Sequence, residues 1–268
     1  MEFSVSELQA IASSGPYKRI PVKRELLADF ITPVEAMRAL RGASHHCFML
    51  ESAEESAHWG RYTFLGFDPA MEITCANGEL RVRTGVEGQE AAEQRMTVDH
   101  PGEFLRQVIA DNRSPQLEGF PTFTGGLVGY FSYDYIKYAE PTLRRDDLGH
   151  GDFLDMDHML FDKLVVFDHY RQKIILIAGV RTDDLQASAE AAEASLNEME
   201  ELLRKGERYQ FEPLAMQGEP TPPASMPSAT AKWCRPPSST FTRAISSRWC
   251  FPTLVRCRQQ VASSTPIE

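Results

Sequence analysis

Acidic residues are missing from the last fifth of this chain. None occurs between Glu219 and Glu268, although Asp and Glu outnumber Lys and Arg by 38 to 28 over the 268 residues. That stretch instead holds Lys232, Arg235, Arg243, Arg248, Arg256 and Arg258 among Pro, Ser and Thr, with Trp233-Cys234 and Trp249-Cys250 at no helical or strand period. Long apolar runs are also absent: nothing approaches the roughly 18 residues of a membrane span. Met1 to Ala12 interrupts its apolar positions with Glu2 and Glu7, unlike a secretion signal, so a cytoplasmic location is expected. Cysteine is sparse and odd in number: Cys47, Cys75, Cys234, Cys250 and Cys257 show no CxxC spacing, which argues against a disulfide framework or a zinc site. A net charge of -10 disfavours a phosphate-backbone partner for the body, so no nucleic acid is expected. No nucleophile elbow, zinc motif or dinucleotide fingerprint occurs.

What is present reads as a soluble α+β body, 42% hydrophobic and 25% charged. Thr32-Pro33-Val34-Glu35 has the form of a helix start, with Thr32 as N-cap, Pro33 in the first turn and Glu35 closing a capping box, and Gly42 as a stop. Cys47 to Leu50, Arg61 to Phe67 and Met71 to Cys75 read as strands. Asn77-Gly78 is the strongest hairpin signal, leading into Leu80 to Arg83. Gly85 to Met96 reads as polar loop. Glu103 to Asn112 reads as a helix with Phe104, Val108 and Ile109 on one face. Lys163 to Phe167 and Lys173 to Ile177 are apolar enough for central strands. Leu185, Ala189, Ala192, Leu196, Met199 and Leu203 then mark a long amphipathic helix ending before Gly206. Strand runs broken by helical segments, without strict alternation, predict largely antiparallel, sandwich-like sheets with flanking helices. Gln217 to Ala231 has linker composition, and an irregular tail follows.

Four clusters could carry chemistry. Ser44-His45-His46-Cys47 offers metal-ligand types, but neighbouring residues on a strand point to opposite faces, so the three cannot meet one ion. Leu50-Glu51-Ser52 ends a strand in a carboxylate and a hydroxyl: either a turn in which Ser52 bonds backbone, or groups that hold the polar atoms of a small zwitterion. Thr124-Gly125-Gly126-Leu127-Val128-Gly129 lacks a P-loop lysine and the GxGxxG spacing, so its glycines point to close backbone approach. Asp146-Asp147, Asp152, Asp155 and Asp157 form an acidic run without EF-hand spacing. No catalytic and no metal-binding residue is assigned from these.

Taken together, Phe48 to Ser52, Gly60 to Pro69, Phe123 to Asp134 and Asp162 to Ile177 resemble the N-terminal region of anthranilate synthase component I, over about Lys18 to Phe211. The resemblance implies that Leu50, Glu51 and Ser52 lie in a tryptophan feedback pocket, with L-tryptophan as a weak partner. It implies also that the complete enzyme converts chorismate to anthranilate with Mg²⁺ and ammonia from a glutamine amidotransferase subunit. The chorismate and Mg²⁺ sites of the family belong to a C-terminal domain, so no cofactor is expected in this chain and it should be inactive alone. The runner-up readings are a stand-alone amino-acid-binding regulatory module and a fragment of aminodeoxychorismate synthase component I. The expected division is a family domain over 1–212, a linker over 213–231 and an out-of-frame tail over 232–268.

The tail carries its own test. With permitted codons, Pro237 to Thr253 regrouped by one base reads K-Q-H-I-Y-K-G-D-I-F-Q-V-V-L-S-N, which resembles the opening of the family's C-terminal domain. Lys232-Trp233-Cys234 yields Met-Val in that same frame. A shift of frame between about Glu212 and Lys232 accounts for the lost acids and lost periodicity together. Sequencing the locus should find one inserted or deleted base there whose repair restores a long frame. An intact frame through the tail would sink this reading and leave a basic, partner-binding tail in its place.

Overall fold

Alternation along the strands decides which side of each sheet is buried, and the covering helices follow from it. The computed structural model describes residues 4–52, 60–85, 92–140, 142 and 153–210, all within the first of two units, Met1–Phe211. The expected linker and tail, and the acidic positions Asp146, Asp147 and Asp152, lie outside the described residues.

The first sheet is antiparallel in the order β1-β10-β9-β3-β2. Its members are β1 (Arg19–Leu27), β2 (Cys47–Leu50), β3 (Tyr62–Phe67), β9 (Lys163–Asp168) and β10 (Lys173–Arg181). One face carries Ile20, Val22, Leu65, Phe67, Val165, Phe167, Ile174 and Leu176, packed under helices α1 (Val5–Ser13), α2 (Pro33–Ala43) and α4 (Leu185–Lys205). The α4 stripe Ala189, Ala192, Leu196, Met199 and Leu203 is buried as its spacing requires. Asp184 caps that helix by accepting from the Ala187 N–H at 3.2 Å. Arg24 fastens it to β1, donating to Asn197 at 2.8 Å and to Glu193 and Glu200.

The second sheet, also antiparallel, runs β6-β5-β4-β8-β7. It comprises β4 (Met71–Ala76), β5 (Glu79–Thr84), β6 (Ala92–Thr97), β7 (Gly126–Phe131) and β8 (Met156–Phe161). Ile73, Cys75, Leu80, Val82, Met156 and Leu160 pack against Leu105 and Val108 of α3 (Pro101–Asp111) and Tyr138 of the 3-10 helix Tyr133–Tyr138. A third apolar set, Phe161, Leu164, Val166, Ile175 and Ile177 with Phe48, Phe64, Phe123 and Val128, joins the two sheets. The α+β reading with antiparallel sheets therefore holds.

Several local expectations needed correction. β6 occupies part of the stretch read as loop, because its exposed Ala-Glu-Gln-Arg pattern offers no apolar alternation; backbone pairing with β5, cross-strand ion pairs of Glu93 and Arg95, and Met96 on the core hold it. α1 and β1 carried no expectation. In α1 the Ser4–Glu7 capping box is the one that forms. At α2, Thr32 caps the Glu35 N–H, but the Glu35 carboxylate pairs with Arg38 and the helix passes Gly42 to end at Ala43. On α3, Val108 is buried and Phe104 packs on the core as expected, but Ile109 is 60% exposed and Leu105 takes its place on the buried face.

The Asn77-Gly78 hairpin adopts positive φ at both positions (52° and 81°). A buried polar network anchors it. The Tyr138 hydroxyl accepts from the Gly78 N–H at 2.7 Å and donates to Asp155 at 2.7 Å. Asp155 accepts also from the Asn77 N–H and from Lys137, both at 2.6 Å. Burial alone would raise the Asp155 carboxyl, but the hydrogen bonds from Lys137, Tyr138 and Asn77 outweigh it and hold it below its ordinary value. A depressed folded-state value gives stability that is complete above the unfolded-state pKa, near about 4, and is lost as pH falls through the folded one. Asp155→Asn should cost about 1.5–3 kcal/mol at neutral pH. In urea titrations it should also flatten the loss of stability between about pH 5 and about pH 3. An unchanged acid slope would show that Asp155 does not carry this dependence.

Candidate functional site

Strand β2 is short and lies at the edge of the first sheet, paired only to β3, with Phe48 opposite Gly66 and Leu50 opposite Phe64. Phe48 and Leu50 share one face by the period of two. Phe48 turns inward to the third apolar set, and its ring lies edge-on to Phe161 at 4.8 Å and to Phe123 at 6.5 Å. Phe64 meets Phe123 at 5.8 Å and Tyr62 at 5.7 Å. The rings of Phe161, Phe48, Phe123, Phe64 and Tyr62 thus form a continuous aromatic ledge beneath the strand end. Gly66 makes it possible: a Cβ there would stand 2.1 Å from the Phe48 ring.

Leu50, Glu51 and Ser52 follow at the outer end of this ledge. Leu50 is 49% exposed although it follows a buried aromatic register, and Glu51 and Ser52 are exposed beside it. The three are consecutive residues at the end of the edge strand, all of them exposed.

The Ser44 and glycine clusters resolve as structural. Ser44 ends α2; its hydroxyl accepts from the His46 N–H at 3.2 Å and the Asp68 N–H at 3.0 Å. Gly129 sits in β7 where a Cβ would approach the Asp157 carbonyl to 2.0 Å, so the glycine run serves close strand pairing. Among the described residues no group of three or more His, Cys, Asp or Glu could hold a metal ion. No helix of the described residues is long and apolar enough to cross a membrane.

Sequence reasoning passed over a second feature. A cavity of about 170 Å³ opens beside Tyr62, lined by Glu25, Arg61, Asp168, Arg171, Lys173 and the loop residues Gly119 and Phe120, on a floor of Ile175. Leu50, Glu51 and Ser52 do not line it. Arg61 grips Asp168 through two bonds of 3.1 and 2.7 Å and lies over the Tyr62 ring at 4.7 Å. Lys23 donates to the Gly119 carbonyl at 2.9 Å, pinning the loop as a roof. Its parts are 150 residues apart in sequence, from β1 to β10, so no local motif could announce it.

No protein-family model matches the chain. Anthranilate synthase component 1 of Pseudomonas aeruginosa is 35% identical over 204 residues, 74% of this chain and 39% of that protein. The protein of the same name from Acetivibrio thermocellus is 32% identical over 170 residues, 62% of this chain and 32% of that protein. A solved structure of anthranilate synthase component I from Streptococcus pneumoniae is 28% identical with a TM-score of 0.42, covering 72% of this chain and 39% of that one. The chain thus spans about a third to two fifths of the length of the curated relatives it matches.

Because Phe48 rests on Gly66, the ledge should depend on that glycine. Gly66→Ala should push Phe48 off the sheet and free the edge strand. Hydrogen exchange at the β2 amides should then rise at least about tenfold relative to those of β9. Equal protection of β2 in both proteins would remove Phe48 as its anchor.

Proposed function

The matched part of this chain belongs to the N-terminal region of the anthranilate synthase component I family, and from that premise we propose that it is the regulatory and scaffold part of such an enzyme. The whole enzyme would convert chorismate to anthranilate, the first committed chemistry of tryptophan synthesis, with ammonia from a glutamine amidotransferase partner. Mg²⁺ and chorismate would be held by the part of the relatives that lies beyond the match. The described residues supply no ligand cluster for the ion, so no step is assigned to it here.

The observation that carries the regulatory reading is the juxtaposition at the end of β2. Leu50, Glu51 and Ser52 stand together on an open edge, beside a ledge of five aromatic rings. An amino acid with an aromatic side chain has three requirements: an apolar wall, an anion for its ammonium group and a hydrogen-bonding partner for its carboxylate. Leu50 with Phe64, Glu51 and Ser52 meet them in that order. Among the described residues these groups form one wall, so weak binding to this chain is expected. The acid-free tail is an out-of-frame sequence on this proposal, and the chain forms no anthranilate by itself.

Two measurements test this. Purified chain given chorismate, Mg²⁺ and ammonium should produce no anthranilate; turnover would overturn the inactive reading. In amide NMR spectra, L-tryptophan at about 10 mM, the range of a weak complex, should shift Leu50, Glu51 and Ser52. Ser52→Ala should reduce those shifts severalfold while leaving the β9 and β10 signals in place. Shifts that avoid β2, or that ignore the substitution, would argue against the assignment. Tight, Ser52-dependent binding would instead favour a stand-alone amino-acid-binding module.

A further inference from the structure

The charges around the cavity beside Tyr62 do not balance, and this in a chain whose net charge is -10. Three cations in the lining, Arg61, Arg171 and Lys173, face two carboxylates, Glu25 and Asp168. Both carboxylates are committed. Asp168 accepts two bonds from Arg61 and the backbone N–H groups of Tyr170 and Arg171 at 3.1 and 3.0 Å. Glu25 is shared by Lys23, at 3.0 Å, and Lys173. The Asp168 side chain is 1% exposed and Lys23 is 7% exposed, so the arrangement is built into the sheet and does not float on its surface. Arg171 rims the cavity from the β9–β10 turn, and among the described residues no carboxylate pairs with its guanidinium.

Apolar surface is the smaller part of the lining. Ile175 forms the floor and Tyr62 and Phe120 stand as walls, with Lys23 over the Phe120 ring at 4.9 Å. The Tyr62 hydroxyl registers the same surroundings: burial raises its pKa, and the charges of Arg61, Arg171 and Lys23 act against that rise. A surplus of guanidinium and ammonium groups beside an apolar floor selects for an anion with an apolar body. A phosphate would gain the charges but leave Ile175 and the rings without contact. A neutral aromatic molecule would leave Arg171 unmatched.

We propose that this cavity binds a small organic carboxylate, its anionic end against Arg171, Arg61 and Lys173 and its apolar body on Ile175, Tyr62 and Phe120. The planar fork of Arg171 suits a carboxylate through two parallel hydrogen bonds. Tyr62 also belongs to the ledge beneath β2, but Leu50, Glu51 and Ser52 do not line this cavity, and the proposal does not rest on the family's activity.

Benzoate, inorganic phosphate and benzyl alcohol, titrated separately into the whole chain and followed by amide NMR, distinguish the outcomes. Benzoate should shift Gly119, Phe120, Arg171 and Lys173 saturably at concentrations up to about 10 mM. Phosphate and benzyl alcohol should each bind at least about tenfold more weakly. Arg171→Gln, at an exposed turn position, should weaken benzoate about tenfold while the spectrum elsewhere stays native. Failure of benzoate to saturate would overturn the proposal. So would phosphate binding as well as benzoate, or affinity that is indifferent to Arg171→Gln. A failed tryptophan test at Ser52 would leave this result untouched, because the residues read in the two experiments do not overlap.

Discussion

The fold depends on one junction, where the chain crosses from one sheet to the other twice within a few ångströms. Asp68, Pro69 and Ala70 carry it from β3 to β4, and the single residue Asp162 carries it back from β8 to β9. Both crossings are pinned. Lys163 pairs with Asp68, Arg19 of β1 pairs with Asp162, and the Ala70 N–H donates to the Leu160 carbonyl at 2.9 Å. Asp68 takes a positive φ of 48° to make the turn, and its N–H is held by the Ser44 hydroxyl at the end of α2. A one-residue link ties the register of β8 in the second sheet to that of β9 in the first, since a slip of either would turn its apolar residues to the wrong face. Met156, Leu160, Leu164 and Val166 are all buried only because that register holds.

From the junction, the work of burial divides. The helices cover one face of the first sheet; α3 and the 3-10 helix cover one face of the second. The remaining apolar surface is shared between the sheets near the crossings and continues through the half-buried rings of Phe48, Phe64 and Phe123 toward β2. The candidate site lies where that covering ends, and the charged cavity lies on the same face of the first sheet, reached through Tyr62. Rigid central strands therefore present both features, while the groups that would meet a ligand sit at an edge or a turn, as is common for binding residues.

The helix α4 and the strands β9 and β10 were legible because their burial is one-sided or complete, so the apolar pattern is long and unbroken. Asn77-Gly78 was legible because few residues tolerate its backbone. β6 was not, since a strand exposed at nearly every position shows no apolar alternation, and its pairing and ion pairs with β5 are not local in sequence. α1 buries only Leu8 fully, too little to mark a period in nine residues. The end of β2 was legible as a strand stopping in a carboxylate and a hydroxyl, but the aromatic ledge beneath it was not. Phe48, Phe64, Phe123 and Phe161 come from four separate segments, and only the sheet pairing gathers them. The cavity combines Glu25, Arg61, Phe120 and Lys173 in the same non-local way.

The open ledge also sets a limit on what the end of β2 can do unaided. An aromatic side chain the size of an indole carries roughly 200 Å² of surface. Laid on a single wall it buries about half, worth roughly 2.5 kcal/mol at about 25 cal/mol per Å². Lost translational and rotational freedom costs about 4 kcal/mol or more. Hydrogen bonds to exposed groups such as Glu51 and Ser52 add about 1 kcal/mol each, because water competes for them. The sum lies close to zero, well short of the roughly 4 kcal/mol of a millimolar complex, so on the proposed reading the strand end alone would hold such a ligand very weakly until a second wall covers the ligand's other face. That second face is the quantity on which regulation would turn: a surface that adds it gains affinity for the ligand, and the bound ligand, by reciprocity, favours the arrangement in which the surface is present.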